Sequence, residues 1–320
     1  MAHRGACGTR RPPPAGRYVP VVSDGTRPST GDGTPLTVGL VGAGPWAGMV
    51  HAPTFAAGPE TALAGVWARR PEQAEALAGR FGAPAFGRVE ELFDHCDAVA
   101  FCVAPAAQGE LAPLAARAGK ALFLEKPLAE DLDTAHRVVD AVDEAGVVTQ
   151  VLLSWRYTSA ARDFLAGVPA LRPIGAAGRF LSGAMLGGPF VSPWRLEHGG
   201  LLDVGPHLVD LLDAALGPVV DVRAHGDRRW TGLLLDHEGG AVSEASLSLF
   251  SRTDDVAGVE VYGEAASAAL DCSSIVGADS FAVARREFAE AVRSGVPHPL
   301  DARHALRLQG VIARARDQLG

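Results

Sequence analysis

One stretch constrains this chain more than any other. Leu36-Thr37-Val38-Gly39-Leu40-Val41 is a short apolar run that passes directly into Gly42-Ala43-Gly44-Pro45-Trp46-Ala47 and then into helix-forming sequence. A strand ending in spaced glycines ahead of a helix is the turn that cradles a dinucleotide. The first glycine permits the tight turn, the second lets the backbone approach a pyrophosphate, and a small third residue lets helix and strand pack closely. The helix start adds free N–H groups and a positive dipole end. Glycine-rich turns also simply end strands, so the motif draws its weight from its position in the first unit of a β/α alternation.

That alternation continues down the chain. Ala62 to Trp67 reads as a second strand, followed by a helix that Pro71 opens, because a first helical position needs no N–H. Ala98 to Val103 is a third strand, 108–119 a helix, Ala121 to Leu124 a fourth strand, 131–145 a helix ended by Gly146, and Val147 to Leu153 a further strand. Short apolar strands alternating with helices specify a parallel sheet covered on both faces. Between 175 and 272 the rhythm changes to a run of strands, clearest at Val242 to Leu249, with one helix over about Pro206 to Leu216 and helical sequence again at 279–319. The expected fold is α/β: a doubly wound parallel sheet, then an α+β domain on an open-faced, mostly antiparallel or mixed sheet. The expected boundaries are a disordered extension at 1–35, rich in proline and glycine, a first domain at 36–153, and a substrate-binding and oligomerisation domain at 154–320 whose C-terminal helix packs back on the first.

Length and charge narrow the classes. A chain of 320 residues makes about two domains, and a net charge of -8 argues against a nucleic-acid surface. No apolar run spans a membrane. Arg10-Arg11 lacks the apolar stretch that an export signal requires. Cys7, Cys96, Cys102 and Cys272 show no CxxC pair or metal-finger spacing, so free thiols in a reducing cytoplasm and no bound metal are expected.

Three places carry candidate chemistry. At the end of the second strand, where a reader of NAD ribose places a carboxylate, stands Val66-Trp67-Ala68-Arg69-Arg70. Arg69 and Arg70 can take a 2′-phosphate, which favours NADP over NAD; as an alternative they are a solvated helix start. Lys120 and Lys126 are the only lysines, and Lys126 lies just beyond the fourth strand, on the ligand-binding side of such a sheet. Lys120 reads better as a charge at a helix end. Asp203 and His207, four apart, form a carboxylate–imidazole pair suited to proton transfer if they share one helix start; the plain alternative is a helix cap and a packed histidine. Asp210 adds a third donor but no further ligand has the right context for a metal.

With these residues in place, the chain resembles the Gfo/Idh/MocA family of nicotinamide-dependent oxidoreductases over about residues 36–320. The resemblance rests on Gly42-Ala43-Gly44-Pro45-Trp46 with His51-Ala52-Pro53, on Glu125-Lys126-Pro127-Leu128, and on Gly199-Gly200 leading to Asp203 and His207. It implies a Rossmann domain and a second sheet whose outer face makes a homodimer or homotetramer. It implies that Lys126 is the active-site lysine, that Glu125 and Pro127 line the nicotinamide end, that Ala104-Pro105 passes along the cofactor, and that Asp203 and His207 act as acid/base pair. Ser154-Trp155-Arg156-Tyr157 borders the substrate pocket by the same resemblance, with Trp194-Arg195 nearby. Gln108 departs from the histidine many members carry there. The expected activity is NAD(P)-dependent interconversion of a secondary alcohol and a ketone on a sugar, polyol or cyclitol, in the cytoplasm. The alternatives are a cofactor-retaining glycoside hydrolase of the same fold and a non-catalytic cofactor-binding regulator.

Overall fold

The computed structural model describes residues 34–319 apart from 189, 253 and 254. Nearly all of the extension expected at 1–35, and Cys7 with it, lies outside the described residues. A five-stranded parallel sheet comprises β1 (Leu36–Val41), β2 (Thr61–Trp67), β3 (Ala98–Phe101), β4 (Ala121–Leu124) and β5 (Thr149–Val151), in spatial order β2-β1-β3-β4-β5. All residues of β3, β4 and β5 are buried, as strands covered on both faces must be. A π-helical turn (Ala47–His51) leads into α1 (Ala52–Ala56), and α2 (Pro71–Gly79), α3 (Val89–Asp94), α4 (Pro105–Arg117) and α5 (Leu132–Ala145) complete the cover. The helix ends carry ordinary signals. Proline opens α2 and α4, Asp131 accepts the Thr134 amide at 2.7 Å ahead of α5, and Gly146 at φ 62° ends it. Winding reverses between β1 and β3, which leaves a crevice at their carboxyl ends.

The second half runs through a 3-10 turn (Ser154–Tyr157), α6 (Ser159–Leu171), β6 (Pro173–Leu181), α7 (Pro193–Asp203), α8 (Gly205–Leu216), β7 (Val219–Gly226), β8 (Thr231–His237), β9 (Val242–Ser248), β10 (Val256–Gly263), β11 (Ser267–Asp271), α9 (Ala278–Ser294) and α10 (Ala302–Arg316). Its six strands lie in the order β11-β10-β6-β9-β8-β7, with β6 and β9 parallel and the other pairs antiparallel. One face receives α8. A Cβ on Gly178 of β6 would come within 2.9 Å of Leu208, so glycine there lets helix and sheet close up. The other face is open, with Val242, Val256 and Tyr262 exposed and Arg179 paired to Glu260 at 3.0 Å.

α9 and α10 return to the first sheet. Arg285 donates to the Glu60 carboxylate and the Thr54 carbonyl, both at 3.0 Å, and the Gln309 side chain exchanges hydrogen bonds with the backbone of Ala129 at 3.2 and 2.8 Å. Among the described residues no helix is long and apolar enough to cross a membrane.

The single helix expected over Pro206 to Leu216 is the second of two. α7 precedes it and bends at Gly199, whose φ of 64° and ψ of −155° break the helical path. α3 and α6 also exceed what the pattern suggested. Gly167 and Pro169 in α6, and the glycine pair in α7, signal turns locally, and burial against the second sheet overrides them.

Candidate active site

The site lies where the carboxyl ends of the parallel strands meet α7 and α8. Gly42 has φ 119°, and a Cβ there would sit 2.1 Å from the Cys102 carbonyl, so only glycine allows β1 and β3 to close this turn. A Cβ on Gly44 would meet nothing within 4 Å, and Gly44 and Pro45 are exposed. The turn is thus tight behind and open in front, which fits the approach of a pyrophosphate to free backbone amides. Ala104 and Pro105 start α4 on the other side of the crevice. Arg69 and Arg70 are exposed at the end of β2, with Arg70 the residue before α2.

Glu125 ties the glycine turn to the lysine loop. Its Oε1 accepts from Trp46 Nε1 at 2.9 Å and lies 2.7 Å from His51 Nε2. Trp46 is held edge-on by Phe190 and Phe281, with ring centroids 6.2 and 6.0 Å away. Burial alone would drive the His51 pKa down, but Cys102 and Glu125 together reverse this and push it up to about 10. His51, Cys102 and Glu125 bring donor atoms within 4.8 Å of one another, a grouping their sequence spacing does not reveal.

Gln108, expected as a departure with its contact in doubt, grips the same loop. Its Oε1 accepts from the Glu125 amide at 2.9 Å, and its Nε2 donates to the carbonyls of Glu125, Pro127 and Leu128 at 2.7, 3.3 and 3.0 Å. An amide side chain supplies both a donor and an acceptor, so one residue fixes the loop on either side of Lys126. Lys120, at the opposite end of β4, donates to the Cys96 carbonyl at 2.9 Å.

Lys126 reaches across to the second half. Its Nζ donates to the Asp203 carboxylate at 2.9 Å and to the Asp203 carbonyl at 2.7 Å. The other carboxylate oxygen accepts from Arg195 Nε at 2.9 Å. Arg195 is braced by the Phe190 carbonyl at 3.1 Å and by the face of Trp194, 4.8 Å from its centroid. Burial opposes ionisation of Asp203, but the two cations outweigh it and hold its carboxyl below the usual range.

Asp203 and His207, expected as an acid/base pair, make no hydrogen bond to each other among the described residues. Asp203 ends α7 and His207 sits in the first turn of α8, so the two are not on one helix start, and the Asp203 oxygens point at Lys126 and Arg195. His207 is buried, and its Nδ1 has no hydrogen-bond partner among the described residues. Burial and the Lys126 charge lower its pKa to about 3 against the opposing pull of Asp203, which makes it a neutral imidazole.

Trp155 stacks on Phe180 at 5.6 Å and tilts against His207 at 5.5 Å, so it forms a wall for the imidazole. Arg156, expected to border a substrate pocket, spends Nη1 on buried Asp210 at 2.9 Å, and Asp210 also accepts from His304 of α10 at 2.6 Å. Asp210, which the sequence offered as a third donor without a metal context, is bound by Arg156 and His304 instead. Trp194 lies beside Arg195 at the start of α7. The sequence marked Gly199-Gly200 but not what Gly199 accommodates: a Cβ there would come 2.1 Å from the Arg228 carbonyl.

Residues 36–153 match the family model described as oxidoreductase family, NAD-binding Rossmann fold, and residues 176–269 match the model described as GFO/IDH/MocA C-terminal domain. The chain is 31% identical over 220 residues to dTDP-3,4-didehydro-2,6-dideoxy-alpha-D-glucose 3-reductase of Streptomyces violaceoruber, covering 65% of this chain and 62% of that protein. It is 32% identical over 121 residues to inositol 2-dehydrogenase of Rhizobium meliloti (strain 1021), covering 37% of this chain and 36% of that protein. The alignments thus span less than two thirds of either relative. Among solved structures, levoglucosan dehydrogenase in complex with NADH and L-sorbose superposes with a TM-score of 0.81 at 18% identity, covering 88% of this chain and 96% of that one.

Proposed function

From the premise that this chain belongs to the Gfo/Idh/MocA family, we propose that it is an NAD(P)-dependent oxidoreductase that interconverts a secondary alcohol and a ketone on a sugar, polyol or cyclitol. The observation that carries this reading is the Lys126–Asp203 junction, which ties the lysine loop after β4 to the end of α7, directly ahead of the helix that carries buried His207. The printed activities of the Streptomyces reductase and the Rhizobium dehydrogenase, both on sugar-like rings, support it.

Gly42, Gly44, Pro45 and Trp46 with Ala104 and Pro105 would hold the dinucleotide, and Glu125 and Pro127 would line its nicotinamide end. A bound nicotinamide supplies a hydride acceptor or donor. Lys126, held at the mouth of α7, donates a hydrogen bond to the substrate oxygen and stabilises the alkoxide character that develops on it. His207, in the first turn of α8, is the group assigned to take the hydroxyl proton in oxidation and return it in reduction. Asp203 acts through Lys126 by fixing its Nζ, and Trp155 fixes the imidazole plane. The ion pair also draws positive charge from water into a half-buried cleft, where it acts more strongly.

Exposed Arg69 and Arg70, with no carboxylate beside them at the end of β2, favour NADP over NAD. The open face of the second sheet is where a second copy of the chain would pack to form a homo-oligomer. Screening a panel of sugars, polyols and cyclitols for reduction of NADP and NAD tests the whole reading. Growth of reduced-nicotinamide absorbance with at least one such substrate is expected. Substrate consumed with no net change in cofactor would replace dehydrogenation by hydrolysis, and comparable kcat/KM with both cofactors would remove the NADP preference.

A further inference from the structure

Cys102 stands directly after β3, at the edge of the sheet where the crevice opens. Its backbone closes the glycine turn: the Cys102 amide donates to the Val41 carbonyl at 2.8 Å, and its own carbonyl fills the space a Cβ on Gly42 would need. Its Sγ meets two side chains from other elements, His51 at the end of the π-helical turn and Glu125 in the loop after β4, with the three donor atoms within 4.8 Å of one another. His51 is only 1% exposed, its Nε2 lies 2.7 Å from the Glu125 carboxylate, and its Nδ1 has no hydrogen-bond partner among the described residues. A nucleophile beside an imidazole that a third group orients is the arrangement that prepares a side chain for attack. Burial disfavours the charged ring, but Cys102 and Glu125 outweigh it, so His51 is a cation beside the sulfur through neutral pH.

The other described cysteines have no such setting. Cys96 and Cys272 are buried, and burial pushes their thiols up to about 11 and about 12. Cys102 is the one described cysteine that is partly exposed. Thiol exchange needs access to the sulfur and a cation to hold the charge on it, and among the described cysteines the two coincide at Cys102. The chemistry assigned to Lys126 and His207 makes no use of this sulfur.

We propose that Cys102 is a modification site that exchanges with low-molecular-weight disulfides, and that the mixed disulfide shuts the crevice to the dinucleotide. The Cys102 thiolate attacks one sulfur of the disulfide, the S–S bond of the reagent breaks, and a new S–S bond joins Cys102 to the attached half. The other half leaves as a thiolate and regains from solvent the proton that Cys102 gave up. Cys102 is oxidised and the reagent is reduced, so no further oxidant enters, and a free thiol reverses the step by the same route. The added group stands between the glycine turn and the lysine loop, which Glu125 ties together through Trp46 at 2.9 Å. Closure of the cofactor site rests on the oxidoreductase reading above, whereas the exchange itself rests on the cluster alone.

The test adds glutathione disulfide to the full chain without cofactor and follows each cysteine by peptide mass spectrometry, which separates Cys102 from Cys7, Cys96 and Cys272. Cys102 is expected to take up one glutathione ahead of the other cysteines, and roughly tenfold or more faster than it does in the urea-unfolded chain, where His51 no longer lies beside it. His51→Gln should remove that advantage. Saturation with NADP should protect Cys102. The modified chain should lose about tenfold or more in NADPH affinity by fluorescence titration, and dithiothreitol should restore it. Cys102→Ala should bind NADPH as the wild type does, before and after the same treatment. Exchange at Cys102 no faster in the folded than in the unfolded chain overturns the site, and NADPH affinity unchanged by full modification overturns its effect on the crevice. An unreactive Cys102 in a chain that oxidises polyols leaves the oxidoreductase reading standing alone. Rapid, His51-dependent exchange in a chain that binds neither NADP nor NAD keeps the site and removes that reading.

Discussion

The ammonium of Lys126 donates to both the side-chain carboxylate and the backbone carbonyl of Asp203, at 2.9 and 2.7 Å, so the loop after β4 and the end of α7 share one junction. The same carboxylate holds Arg195 at 2.9 Å. Two cations around one buried anion leave a net positive site facing the cleft, where an oxygen that gains negative charge in the reaction is stabilised.

Replacing Lys126 by methionine keeps much of the stem and removes the charge. Turnover is expected to fall by roughly 10²–10⁴-fold, the usual effect of deleting one acid/base or charge-stabilising group. Cofactor affinity, measured by quenching of protein fluorescence, should be unchanged. A variant that retains most of its kcat would remove Lys126 from the chemistry.

Arg195 acts on Lys126 through Asp203. Arg195→Met takes away one of the two cations that hold the Asp203 carboxyl below its usual range, so the acid limb of the kcat/KM profile should move to higher pH. Arg195→Lys should restore much of the wild-type profile. An unshifted limb with reduced stability would mean that Arg195 only packs.

Gln108→Leu leaves the Glu125 amide and three loop carbonyls without their side-chain partner. Each buried group left unsatisfied costs about 1–3 kcal/mol, so the variant should melt at a lower temperature and lose kcat as the lysine loop loosens. Full activity together with a wild-type melting curve would show the loop to be held by other contacts.

The two buried histidines give opposite pH slopes. His51 has its pKa raised from 6.5 to about 10, so its contribution is complete below 6.5 and is lost as pH rises through about 10. His207 is lowered from 6.5 to about 3, so stability falls as pH drops through that window, where only the unfolded chain takes the proton. Urea unfolding across pH should therefore show an alkaline decline that His51→Gln flattens and an acid decline that His207→Gln flattens. Identical slopes in wild type and variants would contradict both assignments.

Much of the first half was legible because its signals are local. Val38, Leu40 and Val41 are an apolar run, Pro71 and Gly146 mark helix ends, and Gly42 is needed where β1 and β3 meet, so each element is dictated by residues adjacent in the chain. α7 was hidden for the same reason: Gly199 and Gly200 read as a loop when their burial on the second sheet is not known. The hydrogen-bond partners of Asp203 were not legible because Lys126 lies on a distant loop and Arg195 at the other end of α7, beyond the kink at Gly199.

The sequence alone determined the α/β alternation, the open glycine turn, and the presence of a lysine beyond β4 and an Asp/His pair beyond the glycines, because periodicity and turn chemistry act over a few residues. Tertiary structure decided which charges meet. Lys126 and Asp203 lie 77 positions apart, and Arg156, Asp210 and His304 come from three separate elements. Coulomb energy depends on distance through space and on burial, and neither is set until both sheets have packed against α8 and α10.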